Sequence, residues 1–319
     1  MNRLTALAVA ALMAPGAALA DGWPTRTVTM VVGFGAGSTP DLLARAIAEG
    51  LQERLGQPFV VDNRPGAGGN IGLAAVAQAD PDGHTLGVTI PGPLIVNPMR
   101  MELMYDPASD IRPITMLGTQ PSVLAVNADL GVETLEGLLE MLRADPGAFN
   151  YASIGVGSIS YLAMEMVALA SGTQVEHIPY TSSPEAVQAV IGGEAQMATM
   201  PPLAVLAHAE EGTLRLLAQT SAERMDIVAD VPTFAELGVE GVQAEAWNAL
   251  VTTGGVSDEV VETLYAALAE LLADPAMQDR IRALGFQPVQ MTPEAFAGRI
   301  AEETPRWRAV LEAAGLLDG

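Results

Sequence analysis

The spacing of apolar residues along the chain predicts alternating strands and helices. A mainly apolar run at 28–32 is typical of a buried strand, and apolar residues recur at helical spacing from Pro40 onward. The runs at 59–61 and 85–90 are also predicted to be strands, and each is followed by a loop of small residues and then a helix. This alternation predicts an α/β fold with a parallel sheet, in which ligands bind beyond the carboxyl ends of the strands.

A second α/β series begins after an irregular passage. We predict strands at 114–118, 123–127, 150–153, 175–180, 195–199 and 214–220, with helices at 134–144, at 159–170 and from Ser183 onward. Two long helical patterns, 257–273 and 292–314, close the sequence and are expected to pack against the first series. We therefore predict one lobe from 21–123 and 249–319, a second from 124–248, and a hinge where the chain crosses between them.

The loop after the first strand has the composition of an anion site. Pro40 and Asp41 start a helix, and the free N–H groups of a helix start favour anions. Small residues before them would let a ligand approach the backbone. The candidate cradle consists of Phe34, Gly35, Ala36, Gly37, Ser38 and Thr39.

A second glycine-rich loop spans 63–72. Asn70 is expected to cap a helix that runs to Ala79. Two interpretations of this loop stay open at this point: Arg64 reaches a ligand, or the glycines only fix the start of the helix.

The N-terminus has the pattern of a secretory signal peptide. Arg3 precedes a short apolar core at 4–13, and Ala18-Leu19-Ala20 is a small-residue cleavage signal. We expect residues 1–20 to be removed on export to the periplasm. The chain has no cysteine, which excludes disulfides and thiolate metal sites.

Composition narrows the class of partner. The 319 residues carry a net charge of −23, and all 15 basic residues are arginines. Such acidity argues against nucleic acid or an anionic membrane as a partner. It does not forbid an anionic ligand, because charges are screened beyond about 8 Å at physiological salt and local donors then dominate.

Enzymatic patterns are weak. His84, His177 and His208 are scattered, and neither an H-E-x-x-H nor a G-x-S-x-G motif occurs. We therefore predict no catalytic residues, no metal and no cofactor.

One alternative is a dinucleotide-binding oxidoreductase. Gly33, Gly35 and Gly37 follow a strand, and Asp62 ends the next one, where an acid would bind a ribose. The spacing is G-x-G-x-G instead of G-x-G-x-x-G, which disfavours NAD.

The chain resembles the periplasmic substrate-binding proteins of tripartite tricarboxylate transporters, the Bug-type receptors, over nearly its whole mature length. The run from Asn63 to Gly72 is the most specific match. The other matching stretches are Trp23-Pro24, 41–45, 82–86, Asn97-Pro98, 150–153 with Gly155 and Gly157, 177–180, 230–233, Trp247 and Trp307.

The resemblance implies a two-lobed clamshell of the type II-like periplasmic-binding-protein class, with a mixed sheet flanked by helices in each lobe. It implies no catalysis and a small carboxylate held by backbone N–H groups, hydroxyls and waters. Membrane transporter subunits would be the partners; a ligand-sensing module for a signalling partner is the alternative, and we expect a monomer. By position, the contacts would be Phe34 to Thr39, Pro91, Gly92, Ser153, Gly157, Ser158, Tyr180 and Thr181.

Several of these residues have a structural alternative. Ser153 and Ser158 would otherwise cap the following helix, and Tyr180 would otherwise be a buried structural tyrosine.

The chain departs from the family pattern in its second lobe. Thr181 and Ser182 stand where a basic residue and glycine are usual, and Met200 replaces a frequent aspartate. Ile154 and Val156 stand where proline and a polar residue are common, and the glycines and prolines of 33–40 are also rearranged. This makes the second-lobe surface more apolar, so we hypothesise a ligand with a carboxylate at one end and an apolar or aromatic body.

Overall fold

The computed structural model describes residues 22–317, which form two mixed β-sheets flanked by helices. The predicted signal peptide, 1–20, lies outside the described residues. We call the first sheet with its helices the first lobe, and the second sheet with its helices the second lobe. The predicted two-lobed α/β architecture is confirmed.

The first sheet has six strands, which are β1 (Val28–Val32), β2 (Phe59–Asn63), β3 (Thr85–Thr89), β4 (Ile111–Gln120), β10 (Ala246–Thr253) and β11 (Gln287–Pro288). Their order across the sheet is β11-β4-β10-β3-β1-β2. Strand β1 pairs in parallel with β2 and β3, whereas β10 runs antiparallel to both β3 and β4. The helices between these strands are α1 (Thr39–Leu55), α2 (Asn70–Ala77), α3 (Pro107–Asp110), α8 (Asp258–Ala273) and α9 (Pro275–Ala283).

The second sheet has five strands, which are β5 (Val123–Asn127), β6 (Asn150–Ser153), β7 (Glu176–Pro179), β8 (Met197–Met200) and β9 (Leu214–Gln219). Their order across the sheet is β7-β6-β8-β5-β9. Strand β6 runs parallel to β7 and β8, and β5 runs antiparallel to β8 and β9. The helices are α4 (Leu135–Ala144), α5 (Ile159–Ser171), α6 (Ser183–Ile191) and α7 (Pro202–Glu210).

The chain leaves the first sheet at the end of β4 and enters the second at β5, with only Pro121 and Ser122 between them. It returns between β9 and β10. The two passages are tied together, because Ser122 N–H donates to the Thr220 hydroxyl, which in turn donates to the Ala244 carbonyl. We keep the predicted lobes, 21–123 with 249–319 and 124–248, as a proposal.

The closing helices behave differently from each other. Helix α8 packs against α1 within the first lobe, as expected. Helix α10 (Pro293–Ala313) packs against β4 and also against α5 of the second lobe. Its buried Trp307 and Leu311 belong to a core cluster that includes Tyr151 and Leu162 of the second lobe. The last helix therefore contributes to both lobes.

The prediction that Asn70 caps α2 is wrong. The N-cap is Gly69, whose positive φ of 99° suits a residue without a side chain. The Asn70 side chain instead accepts a hydrogen bond from Asn97 at 2.8 Å and one from the Tyr105 hydroxyl at 3.4 Å. It thereby connects α2 to the segment after β3, where Gly92–Val96 forms a π-helical turn that the sequence did not predict.

Candidate ligand-binding site

A cavity of about 590 Å³ lies between the two lobes, and we call it the inter-lobe cavity. It lies beyond the carboxyl ends of β1, β3, β6 and β8, where ligands bind in sheets of this kind. The first lobe lines it with Phe34, Ala67, Gly68, Ile90, Pro91, Gly92, Val96, Asn97, Arg100 and Met101. The second lobe contributes Ile154, Val156, Gly157, Ser158, Ile159, Ser160, Ser183 and Pro201, and the crossing segments contribute Gln120, Pro121, Ser122 and Ala246.

Glycines bring the two first-lobe loops into direct backbone contact. A Cβ on Gly72 would lie 2.5 Å from the Cα of Gly33, and a Cβ on Gly33 would lie 2.6 Å from the Gly69 carbonyl oxygen. There is no room for a side chain at Gly33 or Gly72, where α2 meets the residue that follows β1. The glycine-rich run of 63–72 therefore fixes helix geometry, and it places Ala67 and Gly68 at the cavity.

The loop after β1 is held by a buried carboxylate. Asp41, 1% exposed, accepts hydrogen bonds from Gly37 N–H at 2.8 Å, from Asn63 at 2.9 Å and from Arg45. Burial raises the pKa of Asp41, but the hydrogen bonds from Arg45, Gly37 and Asn63 outweigh it and hold that pKa below its ordinary value. The Gly37 N–H that was predicted to face a ligand donates to the protein's own anion.

The structure therefore divides the predicted cradle. Phe34 lines the inter-lobe cavity, as do Pro91 and Gly92 after β3. Gly35, Ala36, Gly37, Ser38 and Thr39 do not line it, although the Ser38 hydroxyl is buried without a hydrogen-bond partner among the described residues. Arg64 pairs with Asp62 at 2.8 Å outside the cavity, so Asp62 does not stand free for a ribose.

Helix α5 begins at the cavity. The Ser158 hydroxyl caps it by accepting from Tyr161 N–H, and it also contacts the Ser160 hydroxyl at 3.0 Å. Gly157, Ser158, Ile159 and Ser160 all line the cavity. The first N–H groups of a helix have no partner within the helix, so this end of α5 favours an anion.

Ser153 lies deeper than predicted. It is fully buried, and its hydroxyl lies 2.7 Å from Nε2 of His177. The imidazole stacks on Tyr151 with ring centroids 5.0 Å apart and meets Tyr161 edge-on at 4.8 Å. Burial lowers the pKa of His177, which favours the neutral ring. This group supports the loop between β6 and α5 from beneath.

Tyr180 and Thr181 lie outside the inter-lobe cavity. The Tyr180 hydroxyl donates to Glu194 at 3.3 Å, and Thr181 donates to Glu185 from both its hydroxyl and its backbone N–H. Both acids belong to the second lobe. These contacts join Thr181 to the first turn of α6 and Tyr180 to the turn that follows the helix.

Sequence reasoning missed Arg100, which follows a short 3₁₀ turn, Asn97–Met99. Its guanidinium lines the cavity and lies directly against Gly157 of the opposite lobe. Its positive charge lowers the pKa of Tyr161, although burial is the larger effect and leaves that pKa raised. A cation in an irregular segment carries no motif, so the sequence offered no signal for it.

The remaining chemistry of the cavity is neutral. None of its lining residues is acidic, and Arg100 is its single charged side chain among the described residues. Within 22–317, no group of three or more histidine or acidic side chains converges in a way that could hold a metal ion. None of the helices in that range is both long and apolar enough to span a membrane.

Comparisons with known proteins agree with this architecture. BugT of Bordetella pertussis is 37% identical over 324 aligned residues, which cover 99% of this chain and 98% of BugT. Among solved structures, the R. palustris protein Rpa4515 with adipate has a TM-score of 0.76 and 32% identity, over 92% of this chain and 98% of that one. MatC from Rhodopseudomonas palustris with bound malate has a TM-score of 0.72 and 29% identity, over 91% of this chain and 100% of MatC.

The family model described as the tripartite tricarboxylate transporter family receptor matches residues 43–316. That range contains every strand of the two sheets except β1. It also contains every residue that lines the inter-lobe cavity except Phe34. By this match and by its identity to BugT, the chain belongs to the tripartite tricarboxylate transporter receptor family.

Proposed function

We propose that this receptor captures a carboxylate with an apolar body in the inter-lobe cavity and presents it to a tripartite membrane transporter. The observation that carries the ligand class is the cavity lining itself, which combines apolar side chains with the start of α5 and contains no acid. An anionic end group meets favourable donors there, whereas an ammonium group would find no counter-charge.

The lining separates polar from apolar ligands. Ile90, Val96, Ile154 and Val156 contribute hydrocarbon surface to the cavity, and Pro121 and Pro201 contribute ring methylenes but no N–H donor. Each additional hydroxyl or carboxylate on a ligand would have to be desolvated against this surface, which is costly without a partner. Adipate, which a relative binds, has an apolar four-carbon chain; malate, which another relative binds, has a hydroxyl and a shorter chain.

The size of the cavity permits a body larger than a small diacid. Ligand cavities commonly range from about 300 to 1,000 Å³, and the inter-lobe cavity has about 590 Å³. A few charge-assisted hydrogen bonds of about 1.5–3 kcal/mol each, with apolar burial, would suffice for micromolar binding after the cost of closure. A six-carbon or aromatic acid therefore suits the space.

The role in transport depends on closure of the two lobes around the ligand. A ligand that touches both lobes binds the closed state better and shifts the population toward it. The membrane subunits would then recognise the outer faces of the closed receptor. Export to the periplasm after removal of residues 1–20, action as a monomer and the absence of catalysis are parts of the same proposal. The N-terminal sequence pattern supports export, and the family match supports a receptor role.

A thermal-melt screen of the mature protein tests the ligand class. The panel contains hexanoate, benzoate, adipate, malate, citrate and leucine, with NAD as a check on the dinucleotide alternative. A ligand at about 100 times its dissociation constant raises the free energy of unfolding by about 2.7 kcal/mol. We expect the melting temperature to rise with hexanoate, benzoate or adipate, and less with malate.

A rise with citrate or leucine alone would contradict the apolar-body assignment, and a rise with NAD alone would support the oxidoreductase alternative. If none of the carboxylates in the panel stabilised the protein, the receptor proposal in this form would fail.

A further inference from the structure

We propose that Arg100 joins the start of α5 across the cleft, so that one carboxylate of the ligand is held by both lobes at the same point. The inference rests on the proposed function and adds the residue that determines its charge selectivity. The resemblance implied that backbone N–H groups, hydroxyls and waters hold the ligand, whereas Arg100 adds a cationic side chain to the site.

The geometry brings two donors of opposite lobes together. Arg100 belongs to the first lobe, and its guanidinium lies so close to Gly157 that a Cβ there would overlap Nη1 and stand 3.0 Å from Cζ. Gly157 directly precedes Ser158, the N-cap of α5. The guanidinium therefore lies beside the first turn of the helix, and a single anion can reach both.

Gly157 is required for this approach for two reasons. Its φ of +82° lies in the left-handed region, which side-chain-bearing residues seldom adopt, and any side chain would displace the guanidinium. The loop between β6 and α5 is thus shaped to admit a planar cation from the other lobe.

Arg100 has no counter-ion within the part of the chain that the structure describes. Most arginines of this acidic protein pair with a carboxylate, whereas Arg100, Arg143 and Arg308 pair with none. Arg143 donates to a backbone carbonyl, and Arg308 is exposed. Arg100 is the one of the three that lines the inter-lobe cavity, and its Nε is buried with no hydrogen-bond partner among the described residues.

A buried donor without a partner costs free energy, and the cost is larger for a charged group. The planar fork of a guanidinium matches the two oxygens of a carboxylate. A bound carboxylate would supply both the missing hydrogen bond and the missing counter-charge. The ligand therefore completes a polar site that the protein leaves incomplete.

Titration calorimetry with matched variants tests the inference. Arg100→Gln removes the charge at the cavity, and Arg308→Gln removes the same charge from an exposed position of α10. The probes are hexanoate, benzoate and adipate, with hexanamide and benzamide as uncharged analogues. Arg100→Lys keeps the charge but loses the fork, and it provides a conservative variant if Arg100→Gln fails to fold.

We expect Arg100→Gln to weaken carboxylate binding by about 10- to 100-fold, the loss of one or two charge-assisted hydrogen bonds, and Arg308→Gln to have no effect. Arg100→Lys should fall between Arg100→Gln and the unmodified protein. Arg100→Gln should also reduce the preference for hexanoate over hexanamide, which a purely structural role would leave unchanged.

Two results would overturn the inference. Carboxylates that bind Arg100→Gln as tightly as the unmodified protein would remove Arg100 from the site while leaving the receptor function intact. If the unmodified protein bound none of these carboxylates, the proposed function would fail, and the role of Arg100 would fail with it.

Discussion

The hydroxyl of Ser153 lies 2.7 Å from Nε2 of His177, so a residue expected to contact the ligand supports the site from within. The pair lies under the loop that leads into α5, with Tyr151 and Tyr161 against the imidazole. Glu165 accepts a hydrogen bond from the Tyr151 hydroxyl at 2.5 Å. The neutral imidazole is therefore part of the framework of the second lobe.

This framework predicts an acid sensitivity. Burial lowers the pKa of His177 below its ordinary value of about 6.5. As the pH falls through that value, the unfolded chain binds a proton that the folded one resists, so the free energy of unfolding decreases below about pH 6.5 and is fully retained above it. In urea unfolding at pH 5.5 and 7.5, His177→Gln should show a smaller difference between the two pH values than the unmodified protein. An unchanged difference would show that His177 does not contribute.

The contact between Gly33 and Gly72 predicts a steric limit. Gly72→Ala places a methyl group 2.5 Å from the Gly33 Cα, so α2 must move away from β1. Overpacking of this kind costs about 1–3 kcal/mol, and we expect a loss of that size in denaturant unfolding. The matched control is Gly298→Ala, which meets no atom within 4 Å on an exposed turn of α10 and should raise stability by about 0.5–1 kcal/mol. Equal effects of the two substitutions would contradict the packing argument.

A buried ion pair anchors α10. Glu303, 3% exposed, accepts hydrogen bonds from Arg299 at 2.7 Å and from the indole N–H groups of Trp247 and Trp307 at 3.2 and 3.3 Å. Arg299 also pairs with Glu245 at 2.8 Å, next to the passage that returns to the first sheet. Arg299→Met removes the cation that pairs with Glu245 and leaves Glu303 with only the longer ion pair to Arg306, at 3.8 Å, so we expect the free energy of unfolding to fall by about 3 kcal/mol.

The double variant Arg299→Met/Glu303→Gln checks the cause. Neutralising Glu303 removes a buried charge that has lost its close partner, so the double variant should be more stable than Arg299→Met in the same unfolding assay. If the two variants were equally stable, the loss in Arg299→Met would have to come from the packing of the arginine stem, which both variants lack.

The apolar second-lobe surface predicts a charge effect on binding. Val156→Asp introduces an acid at the inter-lobe cavity, where it would repel a carboxylate, and we expect binding of hexanoate or adipate to weaken about tenfold or more. Leu169→Asp is the matched control, because Leu169 is similarly exposed, at 55% against 51%, but lies outside the cavity lining. Calorimetric affinities that are equal for the two variants would place the anion elsewhere.

Local patterns predicted the fold well where they reflect burial. The strands from β1 to β9 fall close to their apolar runs, and the helices predicted at 134–144 and 159–170 are present, with Thr134 and Ser158 as their N-caps. Asn70 shows where this reasoning fails: a side chain suited to capping finds better partners in Asn97 and Tyr105, which lie far along the chain.

The site was harder to predict because its parts meet only in the folded protein. The apolar residues Ile154 and Val156 were identified from the sequence, and they do line the cavity. By contrast, the use of Gly37 N–H by Asp41 depends on the position of Asn63, and the role of Arg100 depends on the placement of one lobe against the other. Neither the Gly37–Asp41 hydrogen bond nor the placement of Arg100 can be predicted from residue type and spacing.

The contact of α10 with both β4 and α5 has a consequence for how the protein matures. A chain that is delivered from its N-terminus presents both sheets before their shared cover exists, because Trp307 and Leu311 arrive after every strand. While the chain is being delivered, the apolar surfaces that α10 covers are therefore the last to be protected from water. The two lobes can therefore bind a ligand between them only after α10 has packed against both.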